Sequence, residues 1–154
     1  AMQFSLNHDD GLSINNIEKS DVVIIGVSRT SKSPTCLYLG NMGIYASNIP
    51  FIANIDMPKA LFDLNNKKTQ PLIVGLVKSP EQLAGIRKQR MVMVTGEGIG
   101  EYSDIDHIKS ELRSFRRLCK KYDWPIIDVS HRSIEETSAE IIRLLEEKKI
   151  CPQN

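Results

Sequence analysis

From Val22 to Ile25 the chain is unbroken β-branched apolar sequence, and Asp21 to Val27 as a whole has the character of a strand buried on both faces of a parallel sheet. It is predicted to be central. Residues 46–52 and 71–77 read as the second and third strands, and 124–130, Trp124-Pro125-Ile126-Ile127-Asp128-Val129-Ser130, as a fourth. Between them the apolar spacing lengthens to the helical period. Ile105, Ile108, Leu112, Phe115, Cys119 and Tyr122 mark one helix, and Ile134, Ser138, Ile141, Ile142 and Leu145 another. Helix starts are signalled by Ser79-Pro80-Glu81-Gln82, Ser103-Asp104-Ile105-Asp106 and the capping box Ser133-Ile134-Glu135-Glu136. A shorter helix is predicted from the turn holding Pro34 to about Asn41, and one helical turn around 59–64. Strands alternating with helices predict an α/β fold, an open, mostly parallel sheet flanked by helices. Ligands of such sheets bind beyond the strands' carboxyl ends, here after Val27, Val77 and Val129.

The 154 residues suit a single domain over 1–154, with a core of Ile, Leu and Val because aromatics are only 6%. Twenty Lys and Arg against 19 Asp and Glu leave a net charge of +1 and no basic block, so nucleic acid is not an expected partner. Cys36, Cys119 and Cys151 are odd in number and widely spaced, which excludes a disulfide framework and suits a reducing compartment. No apolar run approaches the roughly 18 residues of a membrane span and no signal peptide is legible, so a cytoplasmic protein with no membrane partner is expected. Ala1-Met2 reads as a cloning scar, with natural sequence expected upstream.

The first strand leads into Gly26-Val27-Ser28-Arg29-Thr30-Ser31-Lys32-Ser33, the GxxxxGK[ST] layout with Ser31 in place of the second glycine. Such a loop cradles phosphates with inward backbone N–H groups, a lysine, a hydroxyl for Mg²⁺ and a helix dipole behind them. Ser31 takes the needed backbone only at steric cost. The competing reading is an ordinary strand-to-helix turn with a solvated lysine. With a strand before it and a helix after it, the loop makes the expected fold P-loop kinase-like.

This loop, with Pro34, Thr35, Tyr38 and Leu39 after it, resembles the nucleotide loop of the bacterial and plant pyruvate, phosphate dikinase regulatory proteins, whose usual form also carries serine at the position of Ser31. The resemblance extends through His8-Asp9-Asp10-Gly11, Ala46-Ser47-Asn48-Ile49-Pro50, Gly75-Leu76, Pro80-Glu81-Gln82-Leu83, Ile86-Arg87, Arg90, residues 124–130 and Arg132-Ser133-Ile134-Glu135-Glu136-Thr137. It covers nearly the whole chain and implies the C-terminal, nucleotide-binding part of a longer protein. The related phosphoenolpyruvate synthase regulators more often carry Ser-Gly-Lys where this chain has Thr30-Ser31-Lys32.

The resemblance implies a bifunctional enzyme. One activity moves the β-phosphoryl group of ADP onto a threonine of pyruvate, phosphate dikinase, releasing AMP. The other lets inorganic phosphate attack that phosphothreonine, releasing pyrophosphate. It further implies that Gly26, Val27, Ser28, Arg29, Thr30, Ser31, Lys32 and Ser33 bind the phosphates, with Lys32 on the transferring group and Ser33 on Mg²⁺. It admits a homodimer, although no interface is legible.

Both directions need a carboxylate to take up or return the threonine proton. Asp9 and Asp10 are candidates, against a solvated turn before the first strand; Asp128, late in the fourth strand, is a metal-orienting candidate, against a cap on the next loop. Asp21, at the opposite strand end, is excluded. Arg87 and Arg90, three apart on one helix face, are candidates to clamp a phosphate or the partner's phosphothreonine, against a solvated surface. Arg29 lies in the loop, and Arg132 is on the correct edge or decorates a cap. His8, His107 and His131 are too dispersed for a metal triad, Cys36 and Cys119 read as packing residues, and Gly96-Glu97-Gly98-Ile99-Gly100 reads as a connection rather than a second nucleotide site. A small-molecule P-loop kinase and a non-catalytic nucleotide-binding fragment are the alternatives in other classes.

Overall fold

The β-branched run after Asp21 forms the centre of a four-stranded sheet because every residue of β1, Val22–Gly26, is buried. In the computed structural model, which describes residues 1–9, 17–64, 71–95 and 103–150, β1 lies between β2, Ala46–Pro50, and β3, Leu72–Val77. Beyond β3 lies β4, Ile126–Asp128, giving the order β2-β1-β3-β4 with every pairing parallel. Gly26 pairs with Pro50 and Leu76, and Val77 with Asp128, so the carboxyl ends of all four strands share one edge.

Alternation along the strands divides the core into two layers. Val22, Ile24, Val74 and Leu76 pack with Cys36 and Leu39 of α2, Lys32–Asn41, and Ile141 of α6, Ile134–Ile150. Val23, Ile25, Ile73 and Val77 face the other way, against Leu61 of α3, Lys59–Asp63, Leu83 of α4, Pro80–Thr95, and Ile108, Leu112, Phe115 and Cys119 of α5, Ile105–Lys121. The expected helix starts are present. Ser79 Oγ accepts from Gln82 N, and Asp104 caps α5 by accepting from Asp106 N. Ser133 and Glu136 exchange side-chain to backbone hydrogen bonds at 3.1 and 3.2 Å.

The second strand ends at Pro50 rather than at residue 52, and two larger features also depart from the sequence pattern. The fourth strand is three residues long rather than seven, since Pro125 has no N–H to contribute; its carbonyl accepts from Gly75 N, and Val129 N reaches Val77 O, as single bonds at either side. A short helix, α1, occupies Met2–Asn7, where no periodicity or cap predicts one. It is held from outside: Ser5 Oγ donates to Cys36 O at 3.2 Å, and Phe4 stacks between His8 and Tyr45. Gly40 of α2 permits this approach, because a Cβ there would lie 2.9 Å from Ser5 Oγ and 3.1 Å from Met2 Cα. Asn48 N then donates to His8 O, so His8, just after α1, meets the outer edge of β2 at that point. No helix among the described residues is long and apolar enough to cross a membrane.

Candidate functional site

The loop after β1 begins where a side chain would not fit. A Cβ on Gly26 would stand 2.7 Å from Leu76 O and 3.0 Å from Thr30 Oγ1, so glycine lets the loop fold back over the neighbouring strand. Arg29 and Ser31 then take left-handed backbone, φ 72° and 67°, and neither Ser28 nor Thr30 is among the described positive-φ residues. Signs of φ therefore alternate through the loop, an arrangement that turns successive N–H groups toward one concavity. Ser31 adopts the glycine-like backbone at a cost of about 1–2 kcal/mol.

The same loop gathers positive charge. Lys32 is only 5% exposed, which excludes the solvated-lysine reading, and its Nζ donates to Val27 O at 2.8 Å. Thr30 Oγ1 donates to the same carbonyl at 2.9 Å. Ser31 makes no side-chain cap to α2, and Pro34, in the first turn, has no N–H; the positive end of the helix dipole thus points into the loop without a built-in acceptor from Ser31.

A carboxylate reaches this helix start from far away in sequence. Asp9 Oδ1 accepts from Ser33 Oγ at 2.5 Å and from Asn48 Nδ2 at 2.7 Å. Among the described residues no hydrogen-bond partner is shown for Oδ2. The solvated-turn reading of Asp9 thus gives way to a half-buried carboxylate oriented by two donors; Asp10 lies outside the described residues. Ser33 Oγ and Asp9 are hard oxygen donors of the kind Mg²⁺ takes alongside substrate phosphates, so the pair fits the ion. No cluster of three or more His, Cys, Asp or Glu suited to a metal occurs among the described residues.

Asn48 is the residue that sequence reasoning noted without assigning a role. It is wholly buried within β2, between Ser47 and Ile49. A polar amide in a buried strand must find a partner, and that requirement was the available signal.

The remaining candidates separate. Arg87 is wholly buried rather than solvated: Nη1 and Nη2 grip Glu111 Oε1 and Oε2 at 3.0 and 3.3 Å, and Nη2 also donates to Ser28 O at 3.1 Å. Arg90 is exposed, so the two arginines do not form a joint clamp here. Arg29 and Arg132 are exposed as well, Arg29 on the loop itself.

Asp128 sits at the end of β4, two strand spacings or about 10 Å from β1. It accepts from Ser130 Oγ at 2.5 Å and Ser130 N at 2.9 Å, which hold its carboxyl below the usual carboxylate range; Arg116 and His131 add to the effect. The structure thus shows Asp128 as the cap of its own turn and does not bring it to Ser33. Asp21 accepts from Tyr45 N at the opposite strand end. Cys36 and Cys119 are buried packing residues, and burial pushes the Cys119 thiol up to about 12. The Gly96–Gly100 segment and Cys151 lie outside the described residues.

Comparison with known proteins places this arrangement in context. A family model described as kinase/pyrophosphorylase matches residues 1–142. A protein of Rhizobium meliloti named as a pyruvate, phosphate dikinase regulatory protein is 46% identical over 145 residues, covering 94% of this chain and 52% of its own. Proteins bearing the same name from Brucella melitensis, 46% identical over 150 residues, and Paramagnetospirillum magneticum, 42% over 146, match 97% and 95% of this chain and 52% and 46% of theirs. The chain spans about half the length of these curated relatives.

Proposed function

The chain belongs to the kinase/pyrophosphorylase family, and on that premise we propose that it carries the nucleotide and phosphoryl-transfer site of a regulator of pyruvate, phosphate dikinase. The substrates on this reading are ADP, inorganic phosphate and a threonine of the dikinase, and the products are AMP, pyrophosphate and the phosphorylated or free threonine. The observation that carries it is the meeting of Asp9 with Ser33 at the start of α2, beside the loop that holds Lys32.

In the inactivating direction the threonine hydroxyl attacks the β-phosphorus of ADP. The bond from that phosphorus to the oxygen bridging the two phosphates breaks, and AMP leaves. Asp9 Oδ2 takes the hydroxyl proton while Ser33 and Asn48 hold Oδ1, fixing the direction from which the carboxylate meets the acceptor. Lys32 moves from Val27 O onto the phosphoryl oxygens, and the loop N–H groups bind the remaining charge. In the activating direction phosphate attacks the phosphothreonine, pyrophosphate forms, and Asp9 returns the proton to the threonine oxygen. Mg²⁺, held by Ser33 and Asp9, would neutralise charge on the phosphates.

The test incubates the chain, and separately a full-length family member with the same site, with ADP and dikinase. AMP release matched by phosphothreonine formation is expected. No transfer by either protein would reject the reading. Because the chain spans about half of its relatives, a second reading is kept in which it binds nucleotide but transfers only when the remaining half is present; transfer by the full-length protein alone would select it.

A further inference from the structure

Resting on the reading of residues 26–33 as a phosphate cradle, we propose that Arg87 is a positioning residue that presets the cradle, with Glu111 as its anchor. A trans peptide is planar, with C=O and N–H pointing oppositely, so whatever holds a carbonyl also aims the next residue's N–H. Arg87 Nη2 holds Ser28 O, and this points the Arg29 N–H the opposite way within that peptide plane. One peptide earlier, Thr30 Oγ1 and Lys32 Nζ hold Val27 O and direct the Ser28 N–H in the same way. Two carbonyls whose negative ends would repel a phosphate are thereby tied down by donors, two of them cationic.

The two cations differ in freedom. Lys32 ends in a point charge on a flexible stem, which can leave Val27 O for an incoming phosphate. Arg87 is locked: its flat guanidinium spans both oxygens of Glu111 and still reaches Ser28, and no part of it is exposed. Glu111 is itself only 8% exposed and lies beside His107 Nε2, 3.4 Å from Oε1, so the anchor belongs to the face of α5 against α4. The chain from α5 through α4 to the loop keeps the Arg29 peptide in its left-handed turn before any ligand arrives. Arg87 touches no substrate in this role.

The test is the backbone conformation of Arg29 in the ligand-free protein, read by NMR from its intraresidue amide-to-Hα NOE, together with hydrogen exchange of β1 and β3 and calorimetry using ADP and pyrophosphate as separate probes. Arg87→Lys retains charge beside Glu111 but cannot span both partners. The expected result in Arg87→Lys is loss of the strong NOE that marks left-handed backbone at Arg29, with binding of both probes weaker by about tenfold and little change in the exchange of β1 and β3. Glu111→Gln, which keeps an acceptor for Arg87, should give the same pattern at smaller amplitude and guards against a variant that fails to fold. An unchanged Arg29 NOE in both variants would overturn the proposal, as would faster exchange spread evenly over the whole sheet. If the parent protein bound neither probe, the nucleotide reading would fail while the Arg29 NOE still decided the role of Arg87.

Discussion

The turn from β1 into α2 and the turn from β4 into α6 leave the same edge of one parallel sheet, yet they are built on opposite principles. After β4 most of the polar contacts are local: Asp128 accepts twice from Ser130, and Ser133 and Glu136 close a reciprocal capping box, while Ser130 Oγ also accepts from Ser79 N after β3. After β1 the groups close on themselves only in part, through Thr30 and Lys32 on Val27 O. The backbone is left-handed at Arg29 and Ser31, Ser31 gives α2 no side-chain cap, and a buried lysine rests on a carbonyl. Partners come from distant segments, Asp9 to Ser33 and Arg87 to Ser28. Locally satisfied polar groups stabilise a turn; strain with imported charge marks a place prepared for something else.

The largest expected effect lies at the first turn. Lys32→Ala removes a charge-assisted contact worth about 1.5–3 kcal/mol and should weaken ADP or pyrophosphate binding by more than about tenfold, as read by calorimetry. Unchanged affinity would erase the contrast. At the second turn, Ser133→Ala should cost about 1 kcal/mol of stability in denaturant titration, through loss of the α6 cap, while leaving ligand affinity unaltered.

The smallest effect is the titration of Asp128. Because its folded-state pKa is depressed, its contribution to stability is present above the ordinary carboxylate range and lost as pH falls through the folded value. Ser130→Ala should move the Asp128 carboxyl midpoint upward in an NMR titration, with ligand binding near neutral pH unaffected. A change in ADP affinity in that variant would return Asp128 to the site.

Much of this contrast was legible before the structure. The unbroken run at 22–25 could only be a buried strand, and Ser133 with Glu136 could only open a helix, because both signals act within a few residues. That a turn and a helix start follow the first strand was also readable from the sequence around Pro34. What escaped was the long-range placement. Met2–Asn7 has no periodic signal, since α1 is held by its contacts with α2 and Tyr45 rather than by its own pattern. Asn48 announced only that it needed a partner, and 39 residues separate it from Asp9. The spacing of Arg87 and Arg90 suggested a shared face, but the boundary between buried and exposed falls between them once α5 packs on α4.

The most direct measurement is a crystal structure of the protein with saturating ADP and Mg²⁺. The account predicts the diphosphate seated on the amides of residues 28–33, Lys32 Nζ drawn from Val27 O to a phosphate oxygen, and Asp9 beside the β-phosphate. A nucleotide bound elsewhere, or a loop left empty with Lys32 still on Val27, would contradict it.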